Sequence, residues 1–552
     1  MRERIPQLSL LTGIFLLVFT AATFAVTSLL FLVHIEITAA NLFLALAATV
    51  AILWFGTKVY FSERHALYFG ISLLASTVVF FIFLGVSGSF YDLSYDGQTY
   101  HQEGILRLAQ GWNPFYDKPL GDQGVPYAIW IDHYAKASET IAAALYAVTG
   151  SIELSKVFNF LLIAASFFLS FSALAAILPR RRGLAALFAF MLACNPVSIY
   201  QSLSFYVDGQ LGSLLICLTA LGVLIYFRPK WPVIIAYALC ITLAVNNKFT
   251  ALAYAGILCF GLVLALYVTQ KHGILKKMLI VMTASALIGV ALLGFNPYVT
   301  NMMKYKNPFY PLAGEDSRDV VAAFTPTSFM TMNRFEEAAV SYFSQSEGNS
   351  TKRDETTLKP PFTFSLDELK YYGIPDTAIG GFGPLFSGVI VLALIILIMA
   401  FLFNVPRTMV VIGLLGILLA SVFINYAAWW ARYVPHLWIL PFLIALLGFS
   451  FTERKVIRGL SWLMVGVLFV NMAMVTVSYY KLQAEANGEL KAQMQTLKEA
   501  QQPVTVYFSY AYSNKNRLED YGIAVKEVKT EPKCDSLVEL RDSGTLVCTS
   551  AQ

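Results

Sequence analysis

Four ionisable side chains stand where an apolar chain has little reason to keep them: Asp96, Asp208, Lys248 and Arg432. Asp96 lies in Tyr95-Asp96-Gly97-Gln98-Thr99-Tyr100-His101-Gln102-Glu103, just beyond a long apolar run. Asp208 lies in Phe205-Tyr206-Val207-Asp208-Gly209-Gln210 at the start of another, and repeats the Asp-Gly-Gln triplet. Lys248 follows Asn246-Asn247 at a turn between two apolar runs, and Arg432 sits in Trp429-Trp430-Ala431-Arg432-Tyr433. Carboxylates so placed are tolerable only in water or beside a cation, and the lysine and arginine can supply one. A charge at the bilayer centre costs about 2.5–3.5 kcal/mol and less near the interface, so such residues are functional candidates by default. The competing readings are a helix cap for Asp96, and snorkelling anchors or structural ion pairs for Lys248 and Arg432.

The elements that must position these residues are membrane spans. Apolar residues make up 57% of the 552 and charged residues 13%, and the mean hydropathy is +0.63. Soluble domains carry about a quarter charged residues. Runs such as Ser9 to Val33 and Met278 to Phe295 are long enough to cross the hydrocarbon core as helices, which also satisfy their own backbone polar groups. The first is too long for a signal peptide's apolar region and has no clear small-residue cleavage site, so it is expected to stay. About thirteen spans are predicted, near 8–33, 38–59, 67–87, 154–178, 184–200, 209–227, 232–246, 249–268, 278–295, 380–403, 408–424, 435–450 and 458–480. The fold class is thus an all-α polytopic membrane protein with outer-face loop helices and a small C-terminal α/β extracytoplasmic domain.

Counting alternately from a cytoplasmic N-terminus with Arg2 and Arg4, every short basic loop falls inside. These are Arg64, Arg180-Arg181-Arg182, Arg228 with Lys230, Lys271 with Lys276 and Lys277, Arg407, and Arg454 with Lys455 and Arg458. That is the positive-inside pattern, and it accounts for much of the net charge of +5 without any nucleic acid. Three long segments fall outside: 88–153, 296–379 and the tail. The domain reading is 1–480 for the transmembrane part and 481–552 for the appendage. In the appendage 484–500 is expected to be helical, 504–510 a strand, 516–521 a short helix and 537–549 a hairpin turning at Ser543-Gly544. Cys534 and Cys548 could pair there in an oxidising compartment, whereas Cys194, Cys217, Cys240 and Cys259 read as packing residues in or beside spans.

In the first outer loop Asp92 and Asp96 stand just beyond the third span. Asp96 is placed to cap a short amphipathic helix over about 97–110, with Ile105, Leu106 and Leu108 as its apolar stripe along the membrane surface. The second outer loop carries Lys304, Lys306 and Tyr310 and reads as an acceptor-binding lid, its middle from Gln345 to Glu355 polar enough for disorder. Asn349-Ser350-Thr351 is a glycosylation sequon, a pattern that often arises by chance. No P-loop pattern is present, and Gly380-Gly381-Phe382-Gly383 opens a span. The six histidines show no metal-ligand spacing. The short cytoplasmic loops leave no room for a soluble domain that would use a nucleotide-sugar donor.

An acid in a helical first outer loop, a second acid opening a later span and basic residues at outer turns resemble the GT-C superfamily. Those are multi-span glycosyltransferases that take sugar from a polyprenyl-phosphate carrier. The runs GWNPFYD (111–117), NPFYPL (307–312), GGFGPLF (380–386) and WWARYVP (429–435) resemble a bacterial branch. The layout departs from the best-known pattern in having three spans before the catalytic-type loop, and in Gly97 following Asp96 where a second acid is common. The resemblance implies Asp96 as general base, with Asp208 orienting the acceptor or sharing that role. It implies Lys248 and Arg432 on the donor phosphate, and Asp92, Tyr100, His101, Trp112, Tyr206 and Tyr433 as substrate contacts. A polyprenyl-phosphate-sugar donor, a glycan, lipid or protein acceptor and surrounding membrane lipids would be the partners, in a bacterial plasma membrane. No cofactor and no metal ligand is assigned, a divalent cation (Mg or Mn) being left open. The rival readings are a lipid-linked sugar flippase or transporter, and a surface-polysaccharide polymerase or ligase. Transporters commonly carry internal repeats, and none is evident here.

Overall fold

The computed structural model describes residues 3–349, 354–500, 503–534 and 536–548. Among them ten helices are long and apolar enough to cross a membrane: Arg4–Leu32, Ala39–Tyr60, His65–Gly88, Glu153–Ile177, Asp208–Phe227, Ala251–Val268, His272–Leu293, Phe386–Phe403, Val405–Phe423 and Lys455–Glu499. Three shorter apolar helices, Arg182–Ala193, Trp231–Asn247 and Pro435–Ser450, stand where the sequence places the other three spans. The polytopic helical architecture is therefore as expected, and the departures lie at helix ends.

Those departures have local causes. The span expected at 184–200 breaks after Ala193, because Asn195 turns its side chain to accept the Val197 N–H at 3.0 Å and donate to the Pro435 carbonyl at 2.8 Å. Pro196 then starts a second short helix, Pro196–Tyr200, where its missing N–H costs nothing. The helix expected from 278 already begins at His272 and loosens into a π-turn over Ile288–Leu293. Asn246 donates to the Gly289 carbonyl there at 2.8 Å, satisfying a backbone group inside the turn. Residues 380–385 are a glycine-rich turn rather than the first turn of a span, which starts at Phe386. The last span does not end near 480. Lys455–Glu499 is one helix of 45 residues, about 67 Å long at 1.5 Å per residue, so the boundary expected at 480/481 falls inside it.

Two apolar cores share a septum. Helices Arg4–Leu32, Ala39–Tyr60, Trp231–Asn247 and Ala251–Val268 bury Leu11, Leu17, Leu53, Ala236 and Tyr254 in one. Helices Arg182–Ala193, Phe386–Phe403, Val405–Phe423 and the start of the long last helix bury Phe188, Ile396, Leu418 and Met464 in the other. Helices Val157–Ile177 and Asp208–Phe227 contribute to both. At one end of this assembly, Arg228 pairs with Glu3 at 3.1 Å and Lys230 donates to the Val59 carbonyl. There also Arg181 reaches the Phe449 carbonyl and Arg407 the Ser450 carbonyl. These are basic groups the sequence assigns to one face. Asp96, Asp208, Lys248 and Arg432 stand at the opposite end of the same helices.

At that opposite end the loop helix runs Gly97–Ala109, its first turn a π-turn over Gly97–His101. Its apolar stripe, Ile105, Leu106 and Leu108, packs on Phe31, Trp112 and Ala143. The stripe thus faces protein instead of lying along lipid, because helix Ala137–Thr149 of the same loop covers it. In the second loop part of the stretch expected to be disordered pairs instead, Glu347–Gly348 lying antiparallel to Thr377–Ile379. Residues 350–353 lie outside the described residues and take most of the sequon with them.

The tail is a four-stranded sheet in the order Val525–Glu527, Val504–Phe508, Thr545–Cys548, Leu537–Leu540, the first pair parallel and the others antiparallel. The expected short helix is Asn514–Asp520, the hairpin lies where expected (Thr549 falls outside the described residues), and Cys534 is bonded to Cys548. Arg517, buried, fastens this unit to the first outer loop. It meets Glu153 Oε1 at 2.6 Å and donates to the Asp92 carbonyl at 2.9 Å and to Gln98 Oε1 at 3.2 Å. Lys156 closes the network by pairing with the other oxygen of Glu153. Breaking a buried ion pair by removing one partner costs about 3–5 kcal/mol, and the retained Lys156 places Arg517→Met near the lower end. Thermal unfolding in detergent should show that loss, with Glu153→Gln in the same chain adding to it by stripping Lys156 of its partner. An Arg517→Met protein melting like the parent would mean the tail is not fastened here.

Candidate active site

Three carboxylates from distant parts of the chain close on one guanidinium. Arg432 lies in the short turn Ala431–Tyr433 between two apolar helices. Its Nη2 is 3.4 Å from Asp96 Oδ2, its Nε 3.0 Å from Asp208 Oδ2 and its Nη1 2.9 Å from Asp376 Oδ1. Lys248 pairs with Asp208 through Oδ1. Aromatic rings wall the cations: the guanidinium is 4.7 Å from the Tyr206 ring centre and 5.4 Å from that of Tyr433, and Lys248 Nζ is 4.4 Å from that of Tyr433. Such faces attract cations, more strongly when water is excluded.

Each side chain is delivered by a local irregularity. Asp208 is the first residue of its helix, where the exposed N–H groups and the helix dipole favour a carboxylate. Gly209 behind it packs on the Ser198 backbone, a Cβ there falling 3.0 Å from Ser198 Cα. Lys248 follows directly on helix Trp231–Asn247 with extended backbone, which swings it off the helix toward Asp208. Asp96 opens the π-turn but makes no capping hydrogen bond; its carboxylate goes to Arg432 instead. Extra turns of this kind often mark functional sites. Gly97 is required next to it, because a Cβ would fall 1.9 Å from Asp92 Oδ2 and 2.3 Å from Ser94 Oγ. A second acid in place of Gly97 has no room here.

The electrostatics are uneven. Three carboxylates against a lysine and an arginine leave one net negative charge when all five are ionised. Asp208 is 1% exposed and held on both oxygens, whereas Asp96 is 23% exposed and, among the described residues, pairs with the arginine alone. Only the Asp96 contact is angled as a hydrogen bond. Arg432 Nε and Asp376 Oδ1 are buried and, among the described residues, have no aligned partner despite their short distances. Buried polar atoms are rarely left so. Burial pushes the Lys248 ammonium down from its ordinary range, and Asp208 draws it back. Burial pushes the Asp376 carboxyl up, Arg432 opposing.

Of the residues singled out in the sequence, Asp96, Asp208, Lys248, Arg432, Tyr206 and Tyr433 are brought together. Tyr100 lines the same chamber, burial and the nearby Asp96 charge both raising its hydroxyl. Three are not at the cluster. Asp92 is buried, accepting from the Ser94 and Phe205 N–H groups at 2.8 and 2.9 Å, and so braces the loop. His101 turns away to Glu139, Nδ1 to Oε1 at 2.5 Å. Trp112 is packed in the loop's own core with its N–H on the Lys118 carbonyl. Sequence reasoning missed Asp376, Gln201 and Asn349. Gln201 donates to Asp208 Oδ2 at 3.3 Å and to the Pro375 carbonyl at 2.9 Å, and Asn349 donates to Asp376 Oδ2 at 2.8 Å. The signal for Asp376 was the one that marked Asp96 and Asp208, an acid at the outer end of an apolar segment.

The second outer loop therefore reaches the cluster through Asp376. Tyr310 stacks on Tyr305 at 3.7 Å, and Phe309 packs edge-on to Phe249, the neighbour of Lys248, at 5.7 Å. Lys304 and Lys306 are exposed beside this knot. For a divalent cation the donor set does not fit: among the described residues no three His, Cys, Asp or Glu are placed to hold a metal ion. The three aspartates are spread over three nitrogens of a guanidinium instead of converging on a point.

No family model matches the sequence, and no curated protein matches it. Among solved structures the chain is similar to the crystal structure of ArnT from Cupriavidus metallidurans bound to undecaprenyl phosphate, at 12% identity over 84% of this chain and 86% of that one, with a TM-score of 0.36.

The uneven burial has a consequence for stability. Asp208→Asn strips Lys248 and Arg432 of their shared counter-ion and should cost about 3 kcal/mol or more. Asp96→Asn, at the open edge of the cluster, should cost less than about 1 kcal/mol. Melting curves of the two variants side by side decide this; equal losses would mean that Asp208 does not anchor the cations.

Proposed function

We propose that the protein is a glycosyltransferase that moves a sugar from a polyprenyl-phosphate carrier to an acceptor on a glycan, lipid or protein, at the non-cytoplasmic face of a bacterial plasma membrane. The observation that carries this reading is Arg432: a buried arginine with an N–H short of an aligned acceptor, beside Lys248, at the helix ends where a lipid-borne phosphate would lie. The resemblance to the GT-C layout supports the same assignment.

The chemistry follows from the positions. Asp96, the most open of the three carboxylates, takes the proton of the acceptor hydroxyl as that oxygen attacks the anomeric carbon. The bond from that carbon to the phosphate oxygen breaks, and its electron pair leaves on the phosphate. Lys248 and Arg432 neutralise the charge that develops there, in a site from which burial excludes most water. Asp208, enclosed and held on both oxygens, anchors the two cations instead of serving as a second base. Tyr100, Tyr206 and Tyr433 wall the space for the sugar.

The charge count favours this over a diphosphate-linked polymerase or ligase. A polyprenyl-phosphate sugar is a phosphodiester with a single negative charge, whereas a diphosphate brings more into a cluster that is already net negative. A flippase would keep similar charges but needs no proton acceptor beside them.

Purified protein in vesicles, given radiolabelled polyprenyl-phosphate sugars and candidate acceptors, should release sugar to an acceptor. Asp96→Asn should reduce transfer by about 10²–10⁴-fold without weakening carrier binding. Undiminished transfer by that variant would remove Asp96 as base. Carrier crossing the vesicle with no sugar released would point to the flippase.

A further inference from the structure

The geometry points to Asp376 as the resident anion of the donor-phosphate position, a carboxylate that the incoming phosphodiester must displace from Arg432. The inference rests on the reading of Arg432 as a phosphate ligand and adds to it a residue that sets when the ligand position is free.

Counting the arginine's partners leads there. A phosphate bound in the bidentate manner takes two N–H groups from one edge of the guanidinium. Its five N–H groups outnumber the three aspartates, but each nitrogen has a carboxylate within 3.4 Å, so an incoming anion meets like charge along every edge. One carboxylate must give way to relieve it. Asp208 cannot, being enclosed and tied to Lys248 and Gln201 as well. Asp96 meets Nη2 at the open edge of the site, where the acceptor must reach it. Asp376 remains. Its Oδ1 lies 2.9 Å from Nη1 yet, among the described residues, is in no aligned hydrogen bond, so the contact is close without being well made.

The rest of its surroundings suit a group that can move. Asp376 comes from the long second outer loop, not from a helix, and is held from behind by Asn349, whose side chain donates to Oδ2 at 2.8 Å and whose backbone N–H donates to the Asp376 carbonyl at 3.0 Å. Gln201 grips the preceding residue through the Pro375 carbonyl. The carboxylate can therefore swing while its backbone stays tethered. Charge balance favours the exchange. With the donor's single negative charge added, the cluster would go from one net negative to two; if Asp376 gives up its charge or its place, the count stays at one. Burial, which disfavours the ionised form of Asp376, eases that step.

The occupied position also makes a selection. An uncharged polyprenol offers nothing to displace Asp376, so the carboxylate discriminates carriers by whether they bring an anion.

Binding of polyprenyl phosphate to the full chain in nanodiscs tests this, with the uncharged polyprenol of the same length as control. Asp376→Asn keeps the shape and removes the competing charge, so it should tighten polyprenyl phosphate binding by about tenfold and leave polyprenol binding unchanged. Asn349→Ala loosens Asp376 without touching Arg432 and should shift affinity the same way by less, a second route if the first variant folds poorly. Weaker or unchanged phosphate binding in both overturns the proposal. Arg432→Gln separates the two levels. If it binds polyprenyl phosphate as tightly as the parent, Arg432 is not the phosphate ligand and the functional reading fails with it. If it loses binding while the Asp376 and Asn349 variants gain none, only the displaced-anion role is wrong.

Discussion

Arg432 is a guanidinium enclosed by three carboxylates and a set of aromatic rings, at the seam between two apolar cores. Taking such an ion out of water costs several kcal/mol even after relaxation, and that cost constrains everything near it. Acceptors must reach it from several directions, and helices lying side by side cannot supply them along their regular lengths. The chain meets the need at helix ends. A break before Pro196 exposes Gln201, a helix start presents Asp208, a helix stop releases Lys248, and a π-turn aims Asp96. Each irregularity leaves backbone groups to be satisfied, and Asn195 and Asn246 are among the side chains that satisfy them.

The two Asp-Gly-Gln triplets show one local solution used twice. In both, the acid points into the cluster, the glycine lets the chain approach what lies behind it, and the glutamine ties that side down. Gly97 approaches Asp92 and Ser94, and Gly209 approaches Ser198. Gln98 is held by Arg517 and donates to the Asp542 carbonyl, while Gln210 donates to Ser138 and Asn159. The first triplet is thus clamped by the C-terminal unit, the second by the helix septum. An appendage with no site chemistry of its own still decides where Asp96 stands, because its Arg517 grips the carbonyl of Asp92 and the side chain of Gln98 on either side of it.

Charge that is nearly but not fully balanced separates this cluster from a structural ion-pair knot. In the Glu153–Lys156–Arg517 network both carboxylate oxygens have charged partners and the arginine's bonds are aligned. Around Arg432 the distances are nearly as short, but a donor and an acceptor remain, among the described residues, without aligned partners. One arrangement holds two parts of the chain together; the other has capacity left for a ligand.

Hydropathy and charge were enough to read the helical membrane architecture, the positions of the thirteen apolar segments and the alternation of basic ends, because lipid imposes those rules on every span separately. Asp96, Asp208, Lys248 and Arg432 were legible for the same reason, each being a charge that one apolar segment has no local use for. What the tertiary structure alone decided was which charges meet. Asp376 lies more than fifty residues before Arg432 in a long polar loop; its place just ahead of an apolar segment was a signal, but its meeting with Arg432 was not. Asp92, His101 and Trp112 sit in the informative loop yet turn to Phe205, Glu139 and Lys118, since the direction of a side chain depends on a π-turn that periodicity does not reveal. The last helix passes its expected end at 480 because the tail sheet and first loop bury an apolar stripe, Ala486, Leu490, Met494 and Leu497, along its second half. Single segments carry their own burial in their composition; pairings between segments exist only once the chain has closed on itself.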